Sequence, residues 1–151
     1  MLLLYLVAAL LSLQKKLFYH PKPIFMMQEG NALNWFEIPV TDMKRAKKFY
    51  ETIFEFDDMY LMPMGGFEMA GFPTPQSKVG GALVKGEGYT PSTQGSLVYL
   101  NANPDLMPIL GRIEAAGGKV LMPKTQITPE IGYFALFQDS EGNKVALHSG
   151  K

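Results

Sequence analysis

Residues 34–40 alternate apolar and polar positions and include Trp35, Phe36, Ile38 and Val40. That period of two predicts a strand. The period then lengthens, with Ala46, Phe49, Tyr50 and Ile53 at helical spacing behind Thr41 and Asp42, either of which can cap a helix. Lys44, Arg45, Lys47 and Lys48 fall on the solvated side of that helix. The same grammar returns at Leu97–Pro104, followed by Leu106, Ile109, Leu110 and Ile113; the two apolar quartets stand 60 residues apart. An internal repeat of this kind points to a duplicated module.

The remaining elements follow in the same order in each half. Phe56–Met62 and Gly66–Phe72 read as short strands around Pro63-Met-Gly-Gly, with a loop from Phe72 to Ser77 and a strand over Val79–Val84. Lys85–Gly95, rich in Gly, Pro, Ser and Thr, is the linker between halves. In the second half Ser96–Asn101 is a strand, and Asn103 caps a helix that opens with Pro104, where a missing N–H costs little. Gly117-Gly118 ends it. Lys119–Met122, Gly132–Phe137 and Asn143–His148 are strands, the last two joined by the polar turn Asp139–Asn143. Each half reads strand–helix–strand–strand–strand.

Composition narrows the function. The chain has 151 residues, 47% hydrophobic and 19% charged, which suits one packed domain rather than a disordered chain. Its 14 basic and 14 acidic residues cancel, so no basic stripe marks a nucleic-acid surface. Without cysteine there is no disulfide, thiolate metal site or thiol nucleophile. No glycine pair sits between a strand and a helix in the manner of a phosphate cradle, so nucleotide binding is not expected.

The first 30 residues differ from the rest. Leu2–Leu13 is almost wholly apolar, then come Lys15-Lys16, Pro21 and Pro23. A spanning helix needs about 20 apolar residues, more than this run has. The lysines follow the run instead of preceding it, and no A-x-A site appears, unlike an export signal. A weak signal, a peripheral anchor over residues 1–26, or a start placed upstream of Met26-Met27 all fit. The expectation is a domain over 31–149, cytoplasmic, with export or membrane anchoring as the alternative if residues 1–26 act.

From Asn34 to Ser149 the chain resembles the vicinal oxygen chelate superfamily, the glyoxalase, bleomycin-resistance and dioxygenase group. The likeness is carried by IPVTDMKRAKKFYETIF in the first half. In the second it is carried by GSLVYLNANPDL, IEAAGGKVLMPKTQI and GYFALFQDSEGNKVALH. It implies an α+β fold of two βαβββ modules whose curved mixed sheet surrounds a cavity, with helices on the outer faces, and a homodimer. It also implies a divalent metal held by His and Glu in the best-known members.

The residues at the donor positions are the wrong kind for that metal. Alternation sends Phe36, Ile38 and Val40 toward the helix, and Trp35, Glu37 and Pro39 toward the cavity. Val98, Leu100 and Ala102 likewise face the helix, and Leu97, Tyr99 and Asn101 the cavity. The positions that hold His and Glu in the family are then Trp35, Leu97 and Ala146, and Val79–Val84 offers no His, Asp or Glu. No metal and no cofactor is expected.

Glu37 is the sharpest functional candidate, a carboxylate between Trp35 and Pro39 that burial would turn into a base, an acid or a binding group. Tyr99 and Asn101 are expected to approach it across the cavity, and His148 to stand near its mouth. Met59, Met62, Met64, Phe67, Met69 and Phe72 form a soft apolar group suited to an irregular pocket or to ordinary core. The leading expectation is a metal-independent small-molecule-binding protein with Trp35, Glu37, Tyr99, Asn101, Met64, Phe67 and His148 at the ligand. The alternatives are a lyase, isomerase or dioxygenase-type enzyme using Glu37 as base or an atypical metal site, and a module whose cavity its own side chains fill.

Overall fold

A computed structural model describes residues 31–151. The readings made for residues 1–30 lie outside the described residues. The first half runs β1 (Trp35–Pro39), α1 (Met43–Phe54), β2 (Tyr60–Met64), β3 (Phe67–Gly71) and β4 (Gly80–Lys85). The second runs β5 (Tyr99–Asn101), α2 (Met107–Leu110), β6 (Lys119–Thr128), β7 (Gly132–Gln138) and β8 (Lys144–Ser149). Their sheets have the same order, β1-β4-β3-β2 and β5-β8-β7-β6. In each the outer module strand and the last strand run parallel and the other neighbours antiparallel. The chain is therefore α+β with two βαβββ modules, as its repeat implies.

Helix α1 forms where the spacing places it. Asp42 accepts a hydrogen bond from the Arg45 N–H at 3.0 Å, which satisfies one of the orphan donors of the first turn. Met43, Ala46, Phe49, Tyr50 and Ile53 are buried along one face. Glu55 ends the helix in the left-handed region, at φ 58°.

Helix α2 is much shorter than expected, one turn with no side-chain cap. The Asn103 side chain is engaged elsewhere, accepting from the Gly150 N–H at 2.8 Å and donating to Asn101 at 2.8 Å. Pro104 and Pro108 supply no N–H, and looser turns continue to Gly117. Leu106, Leu110 and Ile113 are buried all the same. Strand β6 is longer than expected, with register shifts around Pro123, a residue tolerated at such irregular edges.

One core joins the modules. Ile38, Val40, Ala70 and Leu83 from the first sheet pack with α1, α2 and Leu100, Ala135, Phe137 and Leu147 from the second. The Phe49 ring sits 6.1 Å from that of Phe137, so α1 touches both sheets. Burying side chains of this size contributes roughly 1.5–3 kcal/mol each. Both sheets thus turn their helix sides into the same core, and their opposite faces look outward.

The Asp139–Asn143 turn locks this arrangement. The Glu141 carboxylate accepts from the Thr41 and Asp42 N–H groups, each at 3.0 Å, and from Arg45 Nε at 2.7 Å. Burial pushes the Glu141 carboxyl up, but the bonds from Arg45, Asp42 and Thr41 outweigh it and hold the pKa at about 2. Tyr50 donates to Asp139 at 2.9 Å, and Asn143 donates to the Pro39 carbonyl at 2.8 Å. Burial first, then the Asp139 charge, pushes the Tyr50 phenol well above its ordinary range.

Candidate functional site

Residues paired in register share a face of a sheet. On the outward face of the first sheet this puts Glu37, Ala82, Gly71 and Tyr60 in one row, and Pro39, Val84, Met69 and Met62 in the next. Trp35 opposes Gly80 at one end, and Phe67 opposes Met64 at the other. Three glycines make this face flat. A methyl group at Gly80 would stand 2.9 Å from the Trp35 ring, and one at Gly71 or Gly86 would collide with the ring of Tyr60 or Phe67. The rings stand close against bare backbone as a result.

Between them Met69, Ala82 and Val84 form a second, small buried cluster covered by Met62 and Tyr89. Tyr89 comes from the linker. Its ring meets Phe67 edge-on at 5.6 Å, and its hydroxyl donates to Glu37 Oε2. Trp35 Nε1 donates to Glu37 Oε1 at 3.2 Å. The hydrogen bond to Glu37, aided by burial and the carboxylate charge, raises the Tyr89 pKa, so the phenol stays a donor.

This corrects the expected setting of Glu37. It is exposed, not buried, and its partners are Trp35 and Tyr89 in place of Tyr99. Tyr89 and Tyr60 were both missed. The only signal for Tyr89 was a lone aromatic residue in a Gly, Pro and Ser-rich linker.

The other candidates divide between faces. Trp35, Glu37, Met64 and Phe67 stand on the first sheet's outward face, and Tyr99, Asn101 and His148 on that of the second, where Tyr99 pairs with Ala146 and Asn101 with His148. Asn101 is occupied by the Asn103 backbone and side chain, and His148 Nε2 meets the Ile131 carbonyl at 3.0 Å. The methionine group splits too. Met59 and Phe72 belong to the main core, Met69 and Met62 to the small cluster, and Met64 is exposed.

Two concavities adjoin this face. One of about 210 Å³ lies where the modules meet, lined by Glu37, Pro39, Ser92, Asn143 and Lys144 among others. The other, of about 580 Å³, runs between α1 and the β2–β3 hairpin past Met43, Lys47, Leu61 and Phe67.

The sequence profile of the Glyoxalase/Bleomycin resistance protein/Dioxygenase superfamily matches residues 32–147. The chain belongs to that superfamily. A glyoxylase-like domain-containing protein of Didymella fabae is 30% identical over 120 residues, covering 74% of this chain and 88% of its own. A glyoxalase/bleomycin resistance protein from Streptomyces sp. CB03234 shares 29% identity and superposes with a TM-score of 0.55, over 78% of this chain and 100% of the other. A glyoxalase I mutant from Zea mays, 17% identical, shares the fold with a TM-score of 0.61; the match covers 79% of this chain and 45% of that one.

The residues present do not fit the divalent metal of the superfamily's best-known members. Trp35, Leu97 and Ala146 occupy the positions where the resemblance puts its donors, and none carries a ligating atom for such an ion. Ala146 is buried as well. Among the described residues no three His, Asp or Glu side chains converge.

Proposed function

We propose that this superfamily member is a metal-independent small-molecule-binding protein of the glyoxalase/bleomycin-resistance type. Its ligand would lie on the outward face of the first sheet. One observation carries the reading. Glu37 is held by Trp35 and Tyr89 in an exposed field of rings laid on Gly71, Gly80 and Gly86. Apolar surface with a few oriented polar groups is what small-ligand sites are made of.

In the same reading the working unit is a homodimer. Trp35 is 41% exposed, Tyr60 50% and Tyr99 51%, on the sides of the two sheets opposite the shared core. A second copy would bring Tyr99, Asn101 and His148 over Trp35, Glu37, Met64 and Phe67. Large exposed aromatic patches commonly mark such contacts. A cytoplasmic setting goes with the proposal; among the described residues no helix is long and apolar enough to cross a membrane.

Thermal-shift screening against metabolites and antibiotics tests the site. Ligands that stabilise the native protein are expected to lose their effect with Glu37→Gln and with Tyr99→Phe. If both variants keep every ligand shift, the site is misplaced. Elemental analysis of protein purified without chelator is expected to find well under one divalent ion per chain; one tightly held ion would end the metal-free reading.

A further inference from the structure

Glu37 carries a charge that its surroundings do not neutralise. Its two oxygens take hydrogen bonds from the neutral donors Trp35 Nε1 and Tyr89 OH. Among the described residues the ion pairs use Asp42, Glu51, Glu55, Asp58, Glu68, Asp105 and Glu141, and Glu37 is in none of them. Lys144 lines the same seam pocket but does not come within ion-pair distance. Of the other basic groups beside this face, Lys85 is spent on Glu68 at 2.7 Å and Lys47 on Glu51, and Lys44 lines the groove past Phe67 rather than the seam at Glu37.

The rings around the carboxylate point to the missing partner. Trp35 lies on Gly80, Tyr60 on Gly71 and Phe67 on Gly86, and the Tyr89 ring stands edge-on to Phe67. Aromatic rings are electron-rich on their faces, and these stand over bare glycine backbone at the surface. Those faces attract weakly hydrated cations, and a carboxylate at the rim adds a charge for the cation to approach. An anion would meet repulsion from both, and a neutral ligand would leave the charge uncompensated.

We infer that the ligand of this face is a small organic cation, an alkylated or protonated amine, whose charged head sits between the Glu37 carboxylate and the rings of Trp35, Tyr60 and Tyr89. The inference rests on the small-molecule reading above and names its ligand class. Tyr89 bonds one Glu37 oxygen and covers part of the floor, so it also sets how much of the carboxylate the cation meets.

Trp35 is the chain's single tryptophan, so its emission reports this face alone. The full-length protein is titrated with choline, with its neutral isostere 3,3-dimethyl-1-butanol, and with 3,3-dimethylbutanoate. Choline is expected to change Trp35 emission saturably and to bind about tenfold more tightly than the alcohol, in line with cation–ring attraction. Glu37→Gln, which keeps the shape, is expected to reduce that preference severalfold while a thermal melt shows the fold intact. Equal or tighter binding of the alcohol or the carboxylate overturns the cation inference but leaves a small-molecule site standing. Silence toward all three overturns the inference too; only silence in the wider thermal screen as well removes the site itself.

Discussion

Tyr89 donates a hydrogen bond to Glu37 from 52 residues further along the chain. The bond fastens the linker between modules onto the first strand, and it holds a carboxylate that is in no ion pair among the described residues. The Tyr89→Phe variant isolates it. The contact is solvent-accessible, so the stability loss should be small. Trp35, which shares Glu37, should still report the change as an altered emission maximum. A larger loss in chemical denaturation with unaltered emission would mean that Tyr89 acts through its ring alone.

The Glu141 carboxylate is a stability group with a definite pH signature. Its pKa falls from an ordinary 4.5 to about 2 on folding. A depressed folded-state value means that the stability is present in full above the unfolded pKa and is lost as pH falls toward the folded one. Denaturation followed from pH 6 down to pH 2 should therefore steepen below about 4.5. The Glu141→Gln variant should lack about 2–3 kcal/mol of that pH-dependent part. Equal pH slopes for both proteins would show that the Thr41, Asp42 and Arg45 bonds do not discriminate between the charged and neutral carboxyl.

Two glycine substitutions should behave in opposite ways. A methyl group at Gly71 meets only the far end of the exposed Tyr60 ring, which can swing aside. Gly71→Ala should cost less than about 1 kcal/mol but lift the ring and weaken ligand shifts. Gly132 has φ +101°, and a methyl there meets the Ser149 carbonyl of the neighbouring backbone. Gly132→Ala should cost clearly more, in the range of about 1–3 kcal/mol typical of strained backbone. Thermal melts of the pair, with one ligand found in the screen, separate the effects.

Tyr50→Phe removes the buried bond to Asp139 while leaving Asp139 its bonds from Asn143 Nδ2 at 2.9 Å and from the Asn143 N–H at 2.8 Å. The expected cost is about 1–2 kcal/mol, with the fold retained in circular dichroism. A neutral result would mean that the Tyr50 bond adds nothing to the turn's internal bonds and to its bonds with Pro39, Thr41, Asp42 and Arg45.

Much of the fold was legible because it is written in short periods. The alternation around Ile38 and Val40 identifies the buried side of β1, and the spacing of Ala46, Phe49, Tyr50 and Ile53 identifies that of α1. The second helix was overread. Leu106, Leu110 and Ile113 keep helical spacing and are buried, yet only Met107–Leu110 is helix, since Pro108 would fall inside a helix opening at Pro104 and the Asn103 side chain is engaged elsewhere. Spacing reports which side chains need cover, and not whether the backbone between them can complete its hydrogen bonds.

By itself the sequence determined the duplicated module, the superfamily, the buried side of each first strand and the apolar character of the usual donor positions. These follow from neighbours two to four residues apart and from residue identity at a repeated place. Only the tertiary structure decided that Tyr89 reaches and holds the exposed Glu37, and that both sheets turn their helix sides into one core. Those relationships join groups far apart in the chain, as Glu141 and Thr41 are across 100 residues. They depend on how the linker and the Asp139–Asn143 turn close, which no local period encodes.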